Sequence, residues 1–117
     1  MIVEFLGVVL LSVLAIISIA QLAVWVWARD VAATAAHEGA RTAAEAGRPL
    51  EDGSGRARDL LHDGLGRAGA AFEVEAVQVD RSVAVQARGM APSLVPFLPR
   101  FTIVATGRAL DEDAVFP

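Results

Sequence analysis

The hydrophobic and polar positions divide the chain into two unequal parts. From Phe5 to Trp27 there are 23 residues without a charge, and only Ser12, Ser18 and Gln21 interrupt the apolar run as polar side chains. As a helix rising about 1.5 Å per residue, this stretch is roughly 34 Å long, enough to cross a hydrocarbon core of about 30 Å. Its many Val and Ile residues do not oppose that reading, because a single segment in lipid can satisfy its own backbone only as a helix. Trp25 and Trp27, with Arg29 and Asp30 just beyond, stand where a membrane-interface anchor belongs.

Two other readings compete. A secretory signal peptide would have a basic n-region, a shorter apolar core and a small-residue cleavage site, whereas no Lys or Arg precedes this run. A buried core helix would need more chain to cover it on all sides. The pattern therefore predicts a transmembrane or filament-core helix over residues 1–28. A bare count of Arg29, Arg41 and Arg48 would place the rest of the chain in the cytoplasm. A basic leader ahead of Met1 would reverse that count.

Beyond Trp27 the helical pattern runs on as ARDVAATAAHEGARTAAEAGRP, and Gly47-Arg48-Pro49 is a stop signal. Residues 29–47 thus read as a stalk continuing the same helix, which the abundant Ala favours in water. Glu38 with Arg41 and Glu45 with Arg48 form i, i+3 pairs worth a few tenths of a kcal/mol each. Ala28, Ala32, Ala35, Gly39, Ala43 and Ala46 recur at spacings of three or four. Such a seam lets backbones approach closely and reads as a packing face. The face could receive the chain's own C-terminal domain or other subunits, and the pattern leaves both open.

Residues 48–117 read as a small exported α+β domain. RPLEDGSGRA, residues 48–57, has the composition of an exposed turn. A second helix is expected from Arg56 to Ala71, with Leu60, Leu61, Leu65, Ala68 and Phe72 as its apolar stripe. Its glycines, each costing up to about 1 kcal/mol relative to Ala, make it dependent on packing. From Phe72 the period becomes two. Phe72–Val79 and Ser82–Arg88 form a hairpin around Asp80-Arg81, and Phe101–Ala109 supplies a third antiparallel strand. Between them Gly89–Pro99 is an apolar, proline-rich loop, which either folds over the sheet or meets a partner or a membrane surface. The final DEDAVFP is a frayed tail.

Two patterns near the N-terminus carry a family resemblance. Val3-Glu4-Phe5 stands immediately before the apolar run, and Ala36-His37-Glu38-Gly39-Ala40-Arg41 lies in the stalk. Together they resemble the TadE-like minor pilins of tight-adherence pilus systems, relatives of the type IV pilins. The likeness covers roughly the first 45 residues. It implies a leader cleaved by a prepilin peptidase, insertion in the bacterial inner membrane with the C-terminal domain outside the cytoplasm, and then incorporation into an extracellular pilus. It also implies partners: other copies of the chain, other pilin subunits and the assembly machinery. Glu4 and Phe5, with the small residues Ala28, Ala32, Ala35, Gly39 and Ala43, are the assembly residues on this reading. The family's Glu is the fifth mature residue and here it is the fourth, so Met1 is expected to stand in for a native residue or processing to differ. Family major pilins are usually much shorter, which favours a minor subunit.

Charge and composition narrow the alternatives. Net charge is −4, with ten Arg, no Lys and 14 acidic residues. Six Arg face seven acids over residues 29–70 and four face six thereafter, so no basic surface of the kind nucleic acid needs is concentrated anywhere. There is no Cys for disulfides or thiolate metal sites. His37 and His62 lack ligand spacing, the serines lack a nucleophile-elbow motif, and no phosphate loop is possible without Lys. Ser12 and Ser18 are expected to bond their own helix carbonyls. Asp111, Glu112 and Asp113 read as a solvated acidic triplet. The expectation is a structural protein with no catalysis, cofactor or metal.

Overall fold

The computed structural model describes residues 1–45, 48–94 and 100–110. Ala46 of the seam, the middle of the proline-rich loop at 95–99, and the tail with its acidic triplet lie outside the described residues. The elements are α1 (Ile2–Ala44), α2 (Leu50–Leu65), α3 (Arg67–Ala70), β1 (Glu73–Val79), β2 (Ser82–Met90) and β3 (Thr102–Leu110). The molecule is an α+β fold drawn out along one axis, 77 × 21 × 17 Å. That length is set by α1, whose 43 residues span about 64 Å at helical rise.

Helix α1 continues without a break from the apolar run into the Ala-rich stretch. It ends where Glu45 turns extended, with φ −63° and ψ 142°. The i, i+3 pairs expected from the sequence are present, Arg41 to Glu38 at 3.2 Å and Arg48 to Glu45 at 3.3 Å. Both are exposed, so each adds little to stability.

The second helix begins earlier than the sequence suggests. Residues 48–57 are not a turn: α2 starts at Leu50, just after the extended Pro49. Glu51 and Asp52 lie in its first turn, where carboxylates complement the exposed N–H groups. Gly53 and Ser54 are buried, Gly53 against Gly39 and Ala43 of α1. A glycine that signals a turn by propensity serves here as a point of close helix approach, so tertiary packing overrides the local preference. The helix also stops sooner than expected. At Gly66 φ is +60°, a conformation that favours glycine, and the short α3 follows.

The sheet has the order β1-β2-β3, antiparallel throughout. Val79 pairs with Ser82 and Glu73 with Arg88 across the hairpin. Asp80 turns it with φ +54°, a left-handed conformation Asp tolerates better than most residues. On β2 and β3, Ser82 opposes Leu110 and Met90 opposes Thr102. The alternation puts Val74, Val83, Val85, Ala87, Ile103 and Ala105 on one face, all buried. Helices α1 and α2 cover that face, and Leu61 is the largest fully buried side chain between the layers.

The core is built mostly of small residues on the α1 side: Ala28, Ala32, Ala35, Ala36 and Ala40 have no exposed surface. Strand β3 lies so close that a Cβ on Gly107 would meet the backbone of Ala36 and His37. The stretch read as a stalk packs on α2 and the sheet and supplies much of the buried core.

Candidate membrane-anchoring and assembly surface

The candidate surface is the part of α1 that the domain leaves bare. Among the described residues one helix, α1, is long and apolar enough to cross a membrane, and its most apolar part is not buried by the rest of the molecule. Along residues 1–16 every side chain is exposed. The two serines of the apolar run donate to their own helix, Ser12 Oγ to the Val8 carbonyl and Ser18 Oγ to the Leu14 carbonyl, each at 2.8 Å. Their hydroxyls are satisfied without water, as lipid demands.

Glu4 and Phe5 lie at the far end of this bare helix, both exposed. Glu4 makes no hydrogen bond or ion pair among the described residues. It sits in the first turn of α1, where unpaired backbone N–H groups already favour a negative charge.

The seam behaves differently. Ala28, Ala32, Ala35, Gly39 and Ala43 are all buried, and they are buried by the chain's own α2 and sheet. At the crossing with α2, a Cβ on Gly39 would lie 2.7 Å from the Gly53 carbonyl oxygen. Small side chains signal close packing, and here the partner is intramolecular.

Domain contact begins at Gln21, a residue that the sequence shows only as a polar interruption. It is 5% exposed. Its side-chain Nε2 donates to the Pro92 carbonyl at 3.0 Å, and its Oε1 accepts the Leu94 N–H at 2.8 Å. One amide thus satisfies both a donor and an acceptor of the loop after β2. One turn further, Trp25 packs edge-on against Phe101, with ring centroids 6.4 Å apart. The Arg29 guanidinium lies 5.7 Å from the Trp25 ring centroid, within cation–π range. Of the three residues placed at the membrane interface, Trp27 and Arg29 are exposed, whereas Trp25 is half-buried under the domain. Its indole N–H has no hydrogen-bond partner among the described residues.

Candidate chemistry does not converge. His37 and His62 are both exposed, and among the described residues no group of three His, Cys, Asp or Glu side chains could hold a metal ion. An open groove beside β2 is lined by Arg67, Arg88 and Arg100, all of them exposed. Comparison with protein-family models, curated proteins and solved structures finds no match to this chain.

Proposed function

We propose that the chain is a structural subunit of a pilus of the tight-adherence or type IV kind, and within it a minor pilin. It is held in the bacterial inner membrane by α1, with its domain outside the cytoplasm, and then packed into an extracellular filament. The observation that carries this reading is the division of α1. Its second half is the core of a small domain, while its first half is a bare apolar rod ending in one carboxylate.

A charge costs about 2.5–3.5 kcal/mol at a bilayer centre and less near the interface. An unpartnered carboxylate on an apolar rod therefore favours a state in which it meets a cation. The α-amino group of a neighbouring copy is such a cation and would set the register between subunits. Partners on this reading are other copies or other pilin subunits, with a prepilin peptidase and the assembly machinery acting before incorporation. No catalysis and no cofactor are assigned.

Exchange of Glu4 for Ala or Gln tests the reading. Both variants should insert in the membrane as the parent does yet fail to enter filaments. Filaments at parental yield from Glu4→Gln would contradict the pairing.

A second reading, an anchored envelope binding module that does not polymerise, is favoured by one observation. The seam that could have served subunit packing is consumed inside the chain.

A further inference from the structure

We infer that the described ends of the loop between β2 and β3, Pro92–Leu94 and Arg100–Phe101, form a foot by which the domain rests in the headgroup–acyl boundary of the bilayer that α1 spans. The inference rests on the membrane-insertion part of the proposed function and not on polymerisation.

The first argument is length. No residue from 2 to 20 is buried, and as helix this stretch measures about 28 Å, close to the hydrocarbon thickness of about 30 Å. Trp25, Trp27 and Arg29 alone would put the interface at the end of the apolar run, yet the domain already grips α1 at Gln21. Phe101 packs level with Trp25, while the Pro92–Leu94 end, held at Gln21, therefore reaches about 6–9 Å, four to six residues of helix, further toward the lipid than Trp25–Trp27. That is the depth at which amphipathic surfaces bury in an interface, roughly 5–10 Å.

The second argument is composition. The loop ends are pinned in one place: the Ala91 N–H donates to the Phe101 carbonyl at 3.0 Å, Gln21 holds Pro92 and Leu94, and Trp25 holds Phe101. So fixed, Leu94 and Phe101 remain 53% and 50% exposed. On the helix beside them Leu22, Val26 and Trp27 are exposed as well. Two loop ends and one helix, joined through Gln21 and Trp25, thus carry exposed apolar side chains where the bare rod leaves the domain. Arg29 and Arg100, both exposed, lie next to it in the chain, as cationic groups at an interface do. Apolar surface that continues directly from a membrane span is covered by the same lipid.

The chain has no Cys, so single cysteines can report depth. Full-length variants Leu94→Cys, Phe101→Cys, Arg81→Cys and Val13→Cys would each be labelled with an environment-sensitive fluorophore. They would be reconstituted singly in phosphatidylcholine–phosphatidylglycerol vesicles containing nitroxide lipids. Arg81, in the hairpin turn at the other end of β2, is the reference for a position clear of the bilayer. Labels at 94 and 101 should be quenched by shallow nitroxides at least twofold more than the label at 81. Adding Gln21→Leu should reduce quenching at 94 and leave Val13 unchanged.

Quenching at 94 and 101 equal to that at 81, with Val13 deeply quenched, would overturn the foot alone. Protection of 94 and 101 from both nitroxide lipid and aqueous quencher would identify a second copy as the occupant and also overturn it. An unquenched label at Val13 would overturn the foot together with membrane insertion.

Discussion

Gly39 and Gly53 meet where α1 crosses α2, and neither position has room for a side chain: a Cβ on Gly53 would lie 2.6 Å from the Gly39 carbonyl oxygen. The contact is backbone on backbone, so nothing flexible can yield. Gly39→Ala should destabilise the domain by about 1–3 kcal/mol despite Ala's better helix propensity. Gly55 lies two residues along α2 with open space beside it. Gly55→Ala should stabilise by about 0.5–1 kcal/mol. Thermal unfolding followed by far-UV circular dichroism in detergent should show Tm shifts of opposite sign, and shifts of equal sign would mean the crossing is looser than described.

Leu61 and Leu11 separate domain stability from anchoring. Leu61 is fully buried between the helices and the sheet, whereas Leu11 is exposed on the bare rod. Leu61→Ala should cost about 2–5 kcal/mol of domain stability. Leu11→Ala should leave the unfolding midpoint where it was. A domain that loses stability on Leu11→Ala would show that the rod packs back on it.

The Gln21 clamp should be visible residue by residue. Gln21→Leu removes both loop hydrogen bonds and leaves the Pro92 carbonyl and Leu94 N–H without their partner, a loss of about 1–3 kcal/mol where the groups stay buried. Amide hydrogen exchange at Leu94 should accelerate, with exchange in β1 unaffected. Gln21→Glu keeps an acceptor for the Leu94 N–H and should retain part of the protection.

These same residues show what was legible in the sequence. The charge-free run predicted a long helix and the period-two segments predicted the three strands, because each pattern reports one buried face of one element. The start of α2 was not legible: Gly53, Ser54 and Gly55 have turn composition, and only contact with Gly39 makes a glycine there favourable. The seam announced close packing but not its partner, since Ala and Gly fit an intramolecular and an intermolecular neighbour equally well. Gln21 gave a usable signal, a lone amide near the end of an apolar helix. Its partners lie more than 70 residues away, at Pro92 and Leu94, and no local pattern points to them. Glu4 was legible as an exception to its surroundings, and the structure leaves it exposed at the end of the rod.

The exposed pair of Glu38 and Arg41 should matter little. At 3.2 Å it is a good i, i+3 contact, yet solvent screening limits such pairs to a few tenths of a kcal/mol. Glu38→Ala should change stability by less than about 0.5 kcal/mol, measured by urea unfolding at low and high salt. A larger, salt-sensitive loss would mean that Glu38 serves a network beyond Arg41.

The central claim is that the bare half of α1 exists to be packed into a filament. Electron microscopy of the native full-length protein, recovered from cell surfaces or concentrated after detergent removal in the presence of its companion subunits, tests it most directly. Regular fibres that incorporate the parent chain and exclude the Glu4→Ala variant are predicted. Parent chain found only as dispersed monomers in membrane fragments or micelles, with fibres lacking it, would contradict the claim and leave the anchored binding module in its place.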